Sequence, residues 1–165
     1  MKARILLTSL LCISMGGMAQ SVADDDPVYV LDSVVVTQTA IGQVTPDRIG
    51  VITIAKGAKA ILKYGNQAAN GVVYIETKPF ARQRVNVLLS SQSSAYDSLL
   101  HKYGNDSSFY FIVNGTPVTP VNETGFMTLD RKTFRSLQVI SEAVLQDKYR
   151  IMDKKAGVII TSTED

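Results

Sequence analysis

The 165 residues contain no tryptophan, a single cysteine (Cys12) and a single histidine (His101). Each shortage removes a class of function. One cysteine forms no intrachain disulfide and no cysteine-based zinc site, and a zinc site needs three or four ligands, which one histidine does not supply. Charge is also sparse. Charged residues make up 19% of the chain, 17 basic against 15 acidic, which leaves no electrostatic footprint for nucleic acid or an anionic membrane. Long apolar runs are missing too. The longest, Ile5 to Met15, is too short to span a bilayer as a helix. What remains is a hydrophobic content of 45%, which is that of a globular chain.

The start of the chain has three parts. Lys2 and Arg4 give a basic beginning, Ile5 to Met15 an apolar core, and Gly16-Gly17-Met18-Ala19 a small-residue cleavage region. This is the layout of a secretory signal peptide over residues 1–19, cut after Ala19. An uncleaved N-terminal anchor or a buried strand is the alternative. A lipid-modified Cys12 is disfavoured because Leu10 and Leu11 stand where such signals carry small residues. Cleavage removes two basic residues, no acidic one and the only cysteine, so the exported chain is formally neutral and free of thiol. Residues 20–26 read as a flexible leader. Its Asp24-Asp25-Asp26 run offers no shaped loop of the kind calcium needs.

One phrase is written twice. Residues 64–78 read YGNQAANGVVYIETK and residues 149–163 read YRIMDKKAGVIITST. The likeness extends upstream. Val28–Leu31 and Phe109–Val113 read as strands by their β-branched and aromatic content, each followed by a bend at Asp32-Ser33 or Asn114-Gly115. Polar loops follow, Thr37 to Thr45 and Thr116 to Gly125. Short helical turns are expected at Pro46–Arg48 and over Leu129 to Phe134. Next come strands at Val51–Ile54 and Leu137–Ile140, then helices at Gly57–Tyr64 and from Ser141 to about Tyr149. The last strands start after Gly71 and Gly157. Asp32 matches Asn114 at an offset of 82, Ile52 matches Leu137 and Tyr64 matches Tyr149 at 85, and Gly71 matches Gly157 at 86. The expected fold is therefore α+β, with two tandem β-loop-β-α-β repeats at 27–79 and 108–165.

In the first repeat Ala58, Ile61 and Leu62 form the expected inner face of the helix, with Gly65 as its stop and Asn70-Gly71 as a turn. Residues 80–107 form the spacer. Arg84 to Leu89 alternates toward a strand, whereas Tyr96, Leu99, Leu100 and Tyr103 fall on one helical stripe, capped by Ser93 or Ser94 and stopped by Gly104. That stripe reads as core.

The run Thr45-Pro46-Asp47-Arg48-Ile49, then Ile52-Thr53-Ile54-Ala55-Lys56-Gly57-Ala58, Tyr64-Gly65 and Ala69-Asn70-Gly71-Val72-Val73-Tyr74-Ile75-Glu76-Thr77-Lys78 resembles the plug domain of TonB-dependent outer-membrane receptors. The nearest style is that of glycan-uptake receptors of Bacteroides-type bacteria. Pro27 to Asp32 resembles the family's opening strand, with Ser33 where the family has glycine. The likeness is specific over 27–79 and weaker over 109–163, where Arg150 follows Tyr149 and Lys155-Ala156-Gly157 replaces the Asn-Gly turn. It implies a periplasmic or outer-membrane setting, an envelope protein as partner, and structural roles for Asp32, Lys56, Tyr64, Gly65, Asn70, Gly71, Tyr149 and Gly157. Leu31–Thr37 has a second reading, as a TonB box. A receptor plug sits inside a barrel, and nothing after Asp165 in this sequence supplies barrel strands. The expectation is a plug-like fold without its own barrel.

No catalytic pattern emerges. Asp97, Ser98 and His101 share one helix, but serine and carboxylate would compete for the same side of the imidazole. Asp32, Glu76, Glu123 and Glu142 are scattered. Lys56-Gly57 opens a helix but lacks the glycine run and Lys-Ser/Thr of a phosphate loop, and Lys56, Lys59 and Lys63 read as a solvated face. No cofactor or metal is expected. The leading expectation is a non-catalytic periplasmic interaction module. The alternatives are a transport accessory that docks on or occludes a separate TonB-dependent barrel, and an enzyme whose site is assembled only in three dimensions. Partner contact is expected in the two polar loops, at Gln38, Gln43, Asn122 and Glu123.

The signal reading is checked by the intact mass of protein recovered from the periplasm. A chain beginning at Gln20 is expected. Retention of Met1, or a lipid on Cys12, contradicts it.

Overall fold

The computed structural model describes residues 26–163; the expected signal peptide, Cys12 and most of the leader lie outside the described residues. The first unit runs β1 (Val28–Leu31), β2 (Val34–Val36), α1 (Gln38–Ile41), a 3₁₀ turn at Pro46–Arg48, β3 (Ile49–Ala55), α2 (Ala58–Tyr64) and β4 (Val72–Thr77). Two helices follow, α3 (Lys78–Gln92) and α4 (Ser94–Tyr103). The second unit runs β5 (Phe109–Val113), β6 (Thr116–Pro117), α5 (Thr124–Met127), β7 (Phe134–Ser141), α6 (Glu142–Val144) with a π turn over Leu145–Tyr149, and β8 (Ala156–Ser162).

The units are α+β repeats down to their register. The sheets have orders β2-β1-β4-β3 and β6-β5-β8-β7. In each, the first and last strands of the unit pair in parallel and the outer pairs are antiparallel. Leu31 faces Ile75 as Val113 faces Ile160, and Ile52 faces Ile75 as Leu137 faces Ile160. A register shift falls between Ile49 and Val51 and again between Phe134 and Ser136.

The matching hairpins show why an Asx residue opens each turn. Asp32 and Ser33 have φ of 47° and 71°, Asn114 and Gly115 have 48° and 81°, the left-handed pair of a two-residue hairpin turn. Asp32 accepts hydrogen bonds from Thr77 N–H (2.7 Å) and Thr77 Oγ1 (2.8 Å). Asn114 accepts from Ser162 N–H at 2.9 Å and donates to Ser162 Oγ at 3.1 Å. Each turn therefore clamps the end of its unit's last strand. The Leu31–Thr37 stretch lies in β1, this hairpin, β2 and the cap of α1, where Thr37 accepts from Ala40 N–H.

Several expectations are corrected. Arg84–Leu89 is not a strand; it lies inside the 15-residue α3. Pro79 sits in the first turn, where proline is tolerated, and Ala81, Val85, Leu88 and Leu89 recur with helical spacing and are buried. The apparent alternation used Val87, which is 65% exposed. The spacer is therefore helix–helix. The Thr37–Thr45 loop contains α1. The helical turn expected over Leu129 to Phe134 stands earlier, as α5. The Asp130 carboxylate instead accepts from the N–H groups of Lys132 and Thr133 and folds that stretch into a turn. Those bonds, Thr133 first, hold the carboxyl below its ordinary pKa. On α2 the buried residue is Ala60, while Ala58, Ile61 and Leu62 are exposed.

Gly157 is not the counterpart of Gly71. Gly71 precedes β4 with a φ of 102°. Gly157 lies within β8 opposite Ile140, as Val72 lies opposite Ala55. A Cβ on Gly157 would stand 2.5 Å from Ile140 Cγ1 and 2.9 Å from Leu145 Cδ2. At equivalent positions the first unit has Ala55, Ala60 and Val72, and the second has Ile140, Leu145 and Gly157. The same space is filled from opposite sides, which is how cores tolerate size changes.

The exchange is testable by urea denaturation. Gly157→Val should destabilise by about 1–3 kcal/mol through overpacking. Adding Leu145→Ala, which restores the first unit's residue at one of the two contacting positions, should recover part of that loss. A double variant less stable than the sum of the two single changes contradicts the exchange.

Candidate functional site

The residues singled out for chemistry are not brought together. The His101 side chain is 78% exposed, with Nδ1 at 2.9 Å from the Asp97 carbonyl and 3.4 Å from its carboxylate. Glu76 is held by Arg84 (2.8 Å), Glu123 by Lys78 (3.0 Å), Glu142 by Lys155 (3.0 Å), and Asp32 by Thr77. Among the described residues no group of three or more His, Cys, Asp or Glu side chains is placed to hold a metal ion.

Gly57 precedes α2 with a φ of 83°, and Gly65 ends it with a φ of 75°. Arg150 takes the place of Gly65 in the second unit in the left-handed region, φ 58°. Tyr64 packs on Tyr74 with ring centroids 6.2 Å apart, and the Lys63 ammonium stands 5.0 and 5.5 Å from the two rings. Hydrogen bonding to Tyr64 raises the Lys63 pKa, bonding to Tyr74 lowers that of Tyr64, and the same bond raises that of Tyr74. Lys56 and Lys59 are exposed, and the stem of Lys56 lies 3.1 Å from where a Gly71 Cβ would stand.

The four loop residues divide into two pairs. Gln38 and Gln43 are exposed on and beside α1. Asn122 is occupied internally: Oδ1 accepts from Thr119 N–H (2.6 Å) and Oγ1 (3.0 Å), and Nδ2 donates to the Pro117 carbonyl (2.9 Å). Glu123 pairs with Lys78 and lies 4.0 Å from Arg82. Asn122 and Glu123 are therefore tied into the fold.

A different surface stands out when the two units are compared. On the second sheet, Phe111, Val158 and Ile160 are 0–3% exposed. Their face is roofed by α3 through Ala81, Val85, Leu88 and Leu89, by α4 through Tyr96, and by α5 through Phe126 and Met127. Phe111 contacts Phe126 at 4.6 Å and Tyr96 at 6.4 Å, centroid to centroid. Burial at the base of this roof pushes the Tyr96 phenol pKa up, and its hydroxyl donates to Asn86 Oδ1 at 2.8 Å.

The matching face of the first sheet carries Tyr29, Leu31, Val73 and Ile75 with Ile52 and Ile54 beside them. Ile75 is buried, Tyr29, Leu31 and Val73 are half-buried, and Ile52 and Ile54 are 56% and 64% exposed. α1, the counterpart of α5, buries no residue. A groove of 760 Å³ lies beside α1 at the start of β1, lined among others by Asp26, Pro27, Tyr29, Val36 and Gln38. Sequence periodicity missed this face because its residues alternate as buried strands do. Among the described residues one helical pair stands between two sheets, and its apolar stripe packs on the second.

No family model, no curated protein and no solved structure matches the chain.

The division of the loop residues is checked by thermal or urea unfolding of single alanine variants. Asn122→Ala and Glu123→Ala should each cost about 1 kcal/mol. Gln38→Ala and Gln43→Ala should stay within about 0.5 kcal/mol. Equal effects across the four contradict the assignment.

Proposed function

We propose that the chain is a non-catalytic, periplasmic plug-like interaction module of a Gram-negative envelope system. The observation that carries this reading is the apolar face of the first sheet, open while its counterpart in the second unit is roofed. An exposed apolar patch on a folded chain marks a site of association. Gln38 lines the groove that reaches this face at Tyr29, and Gln43 follows the same helix, in keeping with partner contact through this loop. The three-part start of the chain supports export. A second reading, in which the module docks on or occludes a separate TonB-dependent barrel, is favoured by the resemblance of residues 27–79 to receptor plugs. Among the described residues no helix is long and apolar enough to cross a membrane.

Photo-crosslinking in the periplasm tests the proposal. A photoreactive residue at Ile54 or Gln38 should yield one discrete protein adduct, and one at Thr161, exposed on the opposite face of the second sheet, should not. An outer-membrane barrel in the adduct selects the second reading. Absence of any adduct from Ile54 and Gln38 contradicts both.

A further inference from the structure

The sequence holds two Asn-Gly pairs, Asn70-Gly71 and Asn114-Gly115. Such a pair can react with itself. The glycine backbone nitrogen attacks the asparagine Cγ, and a residue without a side chain allows the close approach this needs. The two pairs differ in how available that nitrogen is. Gly71 is buried, and its N–H donates to the Ala68 carbonyl at 2.9 Å. The Ala55 carbonyl and the Lys56 stem crowd it, 3.0 and 3.1 Å from where a Cβ would stand. Gly115 is exposed, and nothing lies within 4 Å of its Cβ position. Among the described residues its N–H meets no acceptor.

The first unit shows how the acid form of this turn is held. Asp32 stands where Asn114 stands, and Thr77 stands where Ser162 stands. Asp32 accepts from both the N–H and the Oγ1 of Thr77. Asn114 accepts from Ser162 N–H through Oδ1 and donates to Ser162 Oγ through Nδ2. An aspartate at position 114 would need only the Ser162 hydroxyl to turn from accepting to donating, and a hydroxyl does both. The fold therefore already contains the product's geometry.

We infer that Asn114 is a self-modifying site, deamidated through its own Gly115 without an enzyme. The Gly115 nitrogen gives its proton to solvent base and bonds to Cγ. The Cγ–Nδ2 bond breaks, ammonia leaves, and a cyclic imide joins the two residues. Water then opens the ring. Opening between Cγ and nitrogen leaves aspartate. Opening at the Asn114 main-chain carbonyl leaves isoaspartate, with the chain rerouted through Cγ. Amide and water become acid and ammonia, with no redox step. Cγ must leave Ser162 to reach the nitrogen, so the two hydrogen bonds hold the reaction back. The aspartate product keeps the clamp on β8, whereas isoaspartate lengthens the turn by a backbone carbon and loses it. Either product puts a carboxylate on the rim of a 610 Å³ cleft whose lining, including Thr116, Thr128 and Thr163, carries no charge. The cleft then favours cations over anions.

The purified protein is held at neutral and at mildly alkaline pH and sampled over time. Peptide mass spectrometry locates each amide-to-acid change, and isoaspartyl methyltransferase labels the isoaspartate. Asn114 should convert before Asn70, with release of ammonia, and faster at the higher pH because the attacking nitrogen must lose its proton. Ser162→Ala should speed conversion several-fold. Asn114→Asp should leave the melting temperature nearly unchanged. Conversion of Asn70 first overturns the proposal, and this order is read in the wild-type protein without any variant. So does an intact Asn114 after a synthetic peptide of residues 109–120 has fully converted. Slower conversion in Ser162→Ala removes the restraining role of the clamp, and a large loss of stability in Asn114→Asp removes the fit of the product.

Discussion

Arg84 is the interaction on which the arrangement of the two units depends. Its guanidinium makes a forked contact with Glu76 on β4, with nitrogen–oxygen distances of 2.8–3.0 Å. It also donates to the carbonyls of Met127 (2.6 Å) and Leu129 (2.8 Å) at the end of α5. One side chain of α3 thus joins the first sheet to the second unit and satisfies carbonyls that a helix end leaves unpaired. Only arginine offers enough donors in a rigid plane for this; lysine lacks the fork. Charge-assisted hydrogen bonds of this kind contribute about 1.5–3 kcal/mol each when intact. Beside it, Gly50 lets β3 approach Met127, since a Cβ there would stand 2.9 Å from the sulfur. The pair Lys78–Glu123 closes the same junction.

Fixing α3 there has an asymmetric consequence. Its apolar stripe is committed to the second sheet, where it builds the larger core with Tyr96, Phe109, Phe111 and Phe126. The first unit keeps a smaller core of Val28, Val30, Ala60, Ala68 and Val72 on the α2 side of its sheet. Fully burying a valine, leucine or phenylalanine stabilises by roughly 1.5–3 kcal/mol. The first sheet forgoes much of that on its other face, and a surface that forgoes burial is one available to a partner. The fold thus links a structural economy in the spacer to an interaction surface.

Much of the fold was legible in the sequence because the duplication gave every element two witnesses. Paired strands, the Asx turns and the α4 stripe of Tyr96, Leu99, Leu100 and Tyr103 all followed from local pattern. The failures share a cause, which is that burial is set by neighbours that pattern does not contain. Val85, Val87 and Leu89 alternate as a strand would, yet Pro79 and the Ala81–Val85–Leu88–Leu89 spacing place them on a helix. Ile61 and Leu62 looked like the inner face of α2, but the short helix meets the sheet through Ala60. Gly157 resembled a turn glycine and is instead the small partner of Leu145 and Ile140. Asn122 and Glu123 looked like free loop polarity and are tied to Thr119 and Lys78. The open face was not legible at all, since Ile52 and Ile54 look like core until their counterparts Leu137 and Val139 are seen packed against the roofed core.

Two copies of one unit differ in whether their apolar sheet face is covered. Hydrogen–deuterium exchange of the isolated protein compares β3 with β7 and β4 with β8 at equivalent positions, so intrinsic topology cancels. Opening is easier where fewer apolar contacts must be broken. Faster exchange is expected across Ile52–Ala55 and Val72–Thr77 than across Leu137–Ile140 and Gly157–Ser162. Equal protection of the two units, or slower exchange in the first, would contradict it.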